Sequence, residues 1–131
     1  MSDLATKRPV KKRINLTQQS ILGSGPALME WRQARGISRP LFAQMAHFSE
    51  RKLATYEKAA SLPIKVRRPI RETVNLIQAL RELAGDEAEV KAWLQRPNKA
   101  FGERSPISLI IEGESSRIWQ MVHQIRQGAF A

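Results

Sequence analysis

Residues 31–59 read WRQARGISRPLFAQMAHFSERKLATYEKA. Their punctuation predicts short helices separated by tight turns. The spacing predicts a first helix over Pro26–Arg35, with Leu28, Trp31 and Ala34 on one face and Gly36 as its stop. Ser38 then reads as an N-cap, since its hydroxyl can accept from a backbone N–H of the next turn. Pro40 fits the first turn of that helix, where a missing N–H costs nothing. Phe42, Ala43, Met45 and Ala46 supply its apolar side. Ser49 reads as a second N-cap, opening a helix over Glu50–Lys58 with Leu53 and Tyr56 turned inward. Ile37, Phe42, Phe48, Leu53 and Tyr56 suffice for a minimal core, and small Ala43 lets the second helix approach the third.

Outward from this segment the chain stays helical. Residues 59–69 read as a connector carrying Pro63, Pro69 and a basic cluster of Lys65, Arg67 and Arg68. An amphipathic helix follows over 70–84, with Val74, Ile77, Leu80 and Ala84 at three- and four-residue spacing and Leu76 and Leu83 beside them. Gly85 stops it. Asp86 with Glu89 forms a capping-box-like start for a helix reaching about Arg96, which Pro97 ends. Ser105-Pro106 opens a short helix over Ile107–Ile111. The last helix runs from about Glu114 to Gln127, with Ile118, Met121, Val122 and Ile125 as its stripe, and Gly128 closes it. No stretch alternates as a strand does, so the expected class is all-α.

Charge divides the chain. Residues 1–72 hold 15 Lys/Arg against 5 Asp/Glu, whereas residues 73–131 hold 7 of each, so the front half carries the whole net +10. A pI near 10.9 makes a nucleic acid the leading partner. The densest cluster, Lys7, Arg8, Lys11, Lys12 and Arg13, lies in a polar stretch over 1–24 that reads as a flexible arm attracted to phosphates. Nothing approaches the roughly 20 apolar residues of a membrane span, and the basic N-terminus lacks the apolar core of a secretory signal. The absence of Cys excludes disulfides and thiolate metal sites and suits a reducing cytoplasm. His47 and His123 alone make no metal site. No phosphate loop, nucleophile motif or paired carboxylates are visible, and Ser115, Ser116 and His123 lack an orienting acid, so neither catalysis nor a cofactor is expected.

The segment Trp31–Ala59 resembles the helix-turn-helix of Xre-type and lambdoid-phage repressors. The resemblance rests on Gly36-Ile37-Ser38, Phe42-Ala43, Phe48-Ser49, Leu53 and Tyr56-Glu57, with His47 standing where Gly is frequent at the turn. It implies that Glu50, Arg51 and Thr55, with Lys52 beside them, face base edges. It also implies that Ser38, Arg39 and Lys58 sit on phosphate, and that paired helices read operator double-stranded DNA as a homodimer. The bland alternative is that these residues form only the solvated face of a small helical protein.

Residues 76–131 look like the toxin-binding C-terminal domain of the Xre/MbcA/ParS antitoxins. The carrying elements are Trp93-Leu94, Pro97-Asn98, Ala100-Phe101-Gly102, Ser105-Pro106, Leu109-Ile110, Gly113-Glu114, Ile125 and Gly128. Together with the composition of the first 24 residues and the helix-turn-helix resemblance, this resemblance gives domains over 1–24 (arm), 25–69 (DNA-binding, with the connector) and 70–131 (toxin-binding). It implies a RES-domain, NAD⁺-consuming toxin as partner. The toxin contact then falls on Trp119, Val122, His123, Arg126, Gly128, Ala129, Phe130 and Ala131. Trp93, Leu94, Ile118 and Ile125 are expected in the core, while for Trp119 core and interface are equally open. The alternatives are a stand-alone Xre-type repressor and a basic RNA- or ribosome-associated protein.

Overall fold

The computed structural model describes residues 23–128. Among them the chain forms seven α-helices: α1 Gly25–Ala34, α2 Arg39–Ala46, α3 Glu50–Lys58, α4 Ile64–Ala84, α5 Glu87–Gln95, α6 Pro106–Ile111 and α7 Ser115–Arg126. A 3₁₀ turn occupies Lys99–Phe101, and no strand forms among the described residues beyond one isolated bridge, Asn98 to Arg104. The all-α class follows.

The caps sit where the hydroxyl and carboxylate side chains put them. Ser24 accepts from the Ala27 N–H, Ser38 from Leu41, Ser49 from Lys52, Asp86 from Glu89 and Ser105 from Ser108, at 2.8–3.3 Å. Pro26, Pro40 and Pro106 lie in first helical turns. The turn between α2 and α3 is left-handed at His47, with φ 63° and ψ 38°. The Phe48 N–H closes it by donating to the Ala43 carbonyl at 2.9 Å.

One expectation fails at the connector. Residues 64–69 are not a linker but the first turns of α4, and Pro69 lies inside that helix. A proline there removes one backbone hydrogen bond and crowds the preceding turn, at a cost of roughly 3 kcal/mol. Burial outweighs it. Leu62, Val66 and Ile70 are all buried, each gaining roughly 1.5–3 kcal/mol over exposure. Val66, Ile70, Val74 and Ile77 then make one buried stripe along the helix. The Thr73 hydroxyl returns a hydrogen bond to the Pro69 carbonyl at 2.8 Å.

Packing joins the two ends of the chain. α1 and α2 both lie against α3, α2 also meets α4 and α6, and α4 meets α5 and α7. The buried side chains from Leu28 to Val122 form a single cluster. Ala34, expected on the inner face of α1, is exposed because that face is completed by Leu28, Trp31 and Arg32 instead.

Gly25 sets how closely α1 approaches α3. Its N–H donates to the Ala59 carbonyl at 2.9 Å, and a Cβ there would stand 2.0 Å from the Tyr56 carbonyl oxygen. No backbone neighbour can yield that much without α1 moving. Gly25→Ala should therefore destabilise by about 1–3 kcal/mol despite alanine's better helix propensity. Urea denaturation checks this, and an unchanged midpoint would mean that α1 slides freely off α3.

Candidate functional site

The outward face of α3 is built by a simple period. Leu53 and Glu57 point inward, so Arg51, Thr55 and Lys58, spaced by four and three residues, line the opposite side. Glu50 and Lys52 flank that stripe, and all five residues are exposed. Thr55 donates its hydroxyl to the Arg51 carbonyl at 3.2 Å. Ser38 is exposed but its oxygen caps α2.

Arg39, expected on phosphate, also meets a carboxylate of the chain. Its Nε donates to Glu57 Oε1 at 3.0 Å. The same carboxylate takes two bonds from Arg32, Nε to Oε2 at 2.7 Å and Nη2 to Oε1 at 2.9 Å. Arg32 Nη1 donates onward to the Ile37 carbonyl at 3.0 Å. Glu57 is 1% exposed and Arg32 is 5% exposed. One buried carboxylate thus ties α1, α2 and α3 together and orients the helix that carries the outward stripe. Sequence reasoning missed it, although a signal existed: Glu57 lies four residues after inward-facing Leu53, and a carboxylate on an inner face needs cations.

More cations lie at the start of α4. Lys65 and Arg71 are exposed on α4. Arg68 pairs with Glu72 at 3.0 Å, and Arg67 Nε donates to the Leu62 carbonyl at 3.1 Å. The basic arm lies outside the described residues.

A second charged cluster joins α1 to the turn between α4 and α5. Arg35 stacks over the Trp31 ring at 4.6 Å, and burial lowers its pKa below the usual guanidinium value, against the opposing pull of Glu87. The hydrogen bond from Arg81 Nε, 2.5 Å long, holds the Glu87 carboxyl below the usual carboxylate range.

On α7, Ile118 and Val122 are fully buried. Val122 is therefore a core residue, not the surface contact expected of it, because it lies four residues from Ile118 on the face pressed against the bundle. Ile125 departs in the other direction. Expected in the core, it is 38% exposed, since the helices that cover the start of α7 do not close over its last turn. Trp93 is half-buried, edge-on to Phe101 at 6.2 Å between ring centroids, whereas Leu94 is fully buried.

Trp119 is half-buried and stacks on exposed His123, with centroids 5.9 Å apart. It also lines an open cleft of about 420 Å³ with Met45 and His47 of the α2–α3 turn, Glu72 of α4 and Ser116. Arg126 is exposed and donates to Glu82 at 3.1 Å, and exposed Gly128 takes φ 76°. Ala129, Phe130 and Ala131 lie outside the described residues. No helix of the described residues is long and apolar enough to cross a membrane.

No curated protein and no solved structure matches the chain. Residues 79–128 do match a protein family, described as the antitoxin Xre/MbcA/ParS C-terminal toxin-binding domain. The matched stretch starts within α4 and ends just past α7, so it takes in Trp93, the Asn98–Arg104 loop and the Trp119–His123 face. This match supports the antitoxin family and a toxin as partner, and the C-terminal part of the chain is accordingly similar to a toxin-binding antitoxin domain.

Proposed function

We propose that this chain is the antitoxin of a type II toxin–antitoxin pair. It neutralises a NAD⁺-consuming RES-domain toxin by covering the toxin's active site with α7 and the residues that follow, in the cytoplasm. It also represses its own operon, binding operator DNA as a homodimer through α2 and α3. The observation that carries the toxin reading is the match of residues 79–128 to a toxin-binding domain. Three features support the DNA reading: the capped helix pair at Ser38 and Ser49, the exposed Arg51–Thr55–Lys58 stripe, and a net charge confined to the front half of the chain. Residues 25–69 serve the DNA role, 70–131 the toxin role, and the arm over 1–24 adds phosphate contacts. The Arg39 side chain, bonded to Glu57 through Nε, joins Ser38 and Lys58 beside phosphate.

The toxin half is tested by mixing the purified chain with a RES-domain toxin and following NAD⁺ loss. Full-length chain should stop the loss. A chain ending at Gln127 should still bind operator but inhibit poorly, and undiminished inhibition would remove the tail from the contact.

The DNA half is tested at Arg51. Its guanidinium, at the centre of the outward stripe, suits bidentate donation to guanine O6 and N7. Arg51→Ala should relax operator choice at one base pair per half-site by about 1–3 kcal/mol. Competition with single-base operator variants measures it, and an unaltered preference would exclude Arg51 from base reading.

A further inference from the structure

Between α4, α5 and the last turn of α7 lies an apolar groove of about 240 Å³. Apart from Glu89 its lining is apolar, chiefly Leu80, Leu83, Val90, Trp93, Met121 and Ile125. It is distinct from the Trp119–His123 face. Met121 and Trp119 flank the buried Ile118–Val122 stripe on opposite sides of α7, so the two surfaces look in different directions.

Three features define what fits. Few charges stand near it, and each has a neighbour of opposite sign: Arg126 donates to Glu82 at 3.1 Å, and Glu89, which lines one edge of the groove, stands 3.8 Å from Arg96. A floor of apolar side chains with a single carboxylate at its edge selects an apolar anchor. The volume falls below the roughly 300–1,000 Å³ typical of small-molecule sites, which leaves room for one or two side chains. Finally, the surface is concave. A two-fold dimer places the same patch against itself, and two facing hollows would enclose a void. The occupant therefore protrudes from a different surface. Every wall residue lies within 79–128, the stretch that matches a toxin-binding domain.

We infer that this groove seats a protruding apolar side chain of the toxin partner, of the Leu, Met or Phe class, as an anchor separate from the contact made by Trp119, His123 and the tail. The inference rests on the toxin-binding reading above. Ile125 forms the wall nearest the end of α7 and is exposed enough to change without disturbing the core.

The test is calorimetric titration of the full-length chain with a catalytically inactive RES-domain toxin. Ile125→Asp should raise Kd by about 30-fold or more, as for a central anchor site, with circular dichroism and operator binding unchanged. Ile125→Leu should stay close to wild type. Leu83→Ser, on the opposite wall, gives an independent reading in the same direction. If wild type binds and both polar variants bind equally well, the groove is not the anchor site. If the Ile125→Asp penalty vanishes in a chain ending at Gln127, the groove belongs to the chain's own tail, and the inference falls. If Ile125→Asp changes the mass of the free protein in solution while Kd holds, a second copy is the occupant, and the inference falls likewise. A wild-type chain that fails to bind the toxin at all removes the toxin reading itself, an outcome distinct from the others.

Discussion

Glu57→Ala should cost about 3–5 kcal/mol of folding stability, the range seen when one partner of a buried ion pair is removed. The carboxylate is 1% exposed and receives three guanidinium hydrogen bonds, two from Arg32 and one from Arg39. Removing it leaves the Arg32 charge buried, with only the Ile37 carbonyl for company. Against a total of about 5–15 kcal/mol for a typical domain, that loss is large. Arg39→Ala should behave differently. Its side chain is 35% exposed, so solvent screens it, and the change should stay within about 1 kcal/mol. Urea titration of both variants decides the matter. Equal small losses would show that the Arg32–Glu57 pair is easily replaced by water. The functional consequence follows from the geometry, since Glu57 belongs to the same helix as Arg51 and Thr55. Without the carboxylate the outward stripe loses its fixed angle to α2, and operator affinity should fall together with stability.

Raising salt from 50 to 200 mM should weaken operator binding by about 10³–10⁵-fold if each complex makes 6–10 phosphate contacts. The cations are available. The arm carries Lys7, Arg8, Lys11, Lys12 and Arg13, and the described surface adds exposed Arg51, Lys52, Lys58, Lys65 and Arg71. Each phosphate neutralised contributes roughly 0.9 to the slope of log K against log salt. Replacing the five arm cations with alanine should therefore flatten the slope measurably. Toxin binding should respond far less to salt, since residues 73–131 are electrically balanced. Fluorescence anisotropy on operator DNA over a salt series provides the measurement. A shallow slope for the full chain would assign operator affinity to something other than counterion release.

Local rules were legible in the chain wherever a side chain acts on its own backbone. Ser38, Ser49, Asp86 and Ser105 each cap the helix expected of them, and His47, standing where the resembled family often has Gly, takes the left-handed conformation that glycine favours. These outcomes depend on hydrogen bonds spanning three residues or on the φ of a single one, so no distant partner is needed. Pro69 marks where local reasoning ends. As a helix breaker it argued for a connector, but burial of Leu62, Val66 and Ile70 carries α4 through it.

The all-α class, the cap positions, the inward side of most helices and the confinement of the net positive charge to the front half were thus determined by the sequence alone, because each depends on residue type and short-range period. Tertiary structure decided the rest. A helical period says which side of α7 faces inward but not how far the neighbouring helices reach, and so Val122 is core while Ile125 is left open at the groove. It likewise decided that Arg39 serves Glu57 and that Trp119 stands against the α2–α3 turn, since those meetings join residues 18 or more positions apart. Only packing that brings distant segments together sets the dielectric, the partners and the exposure on which such roles depend.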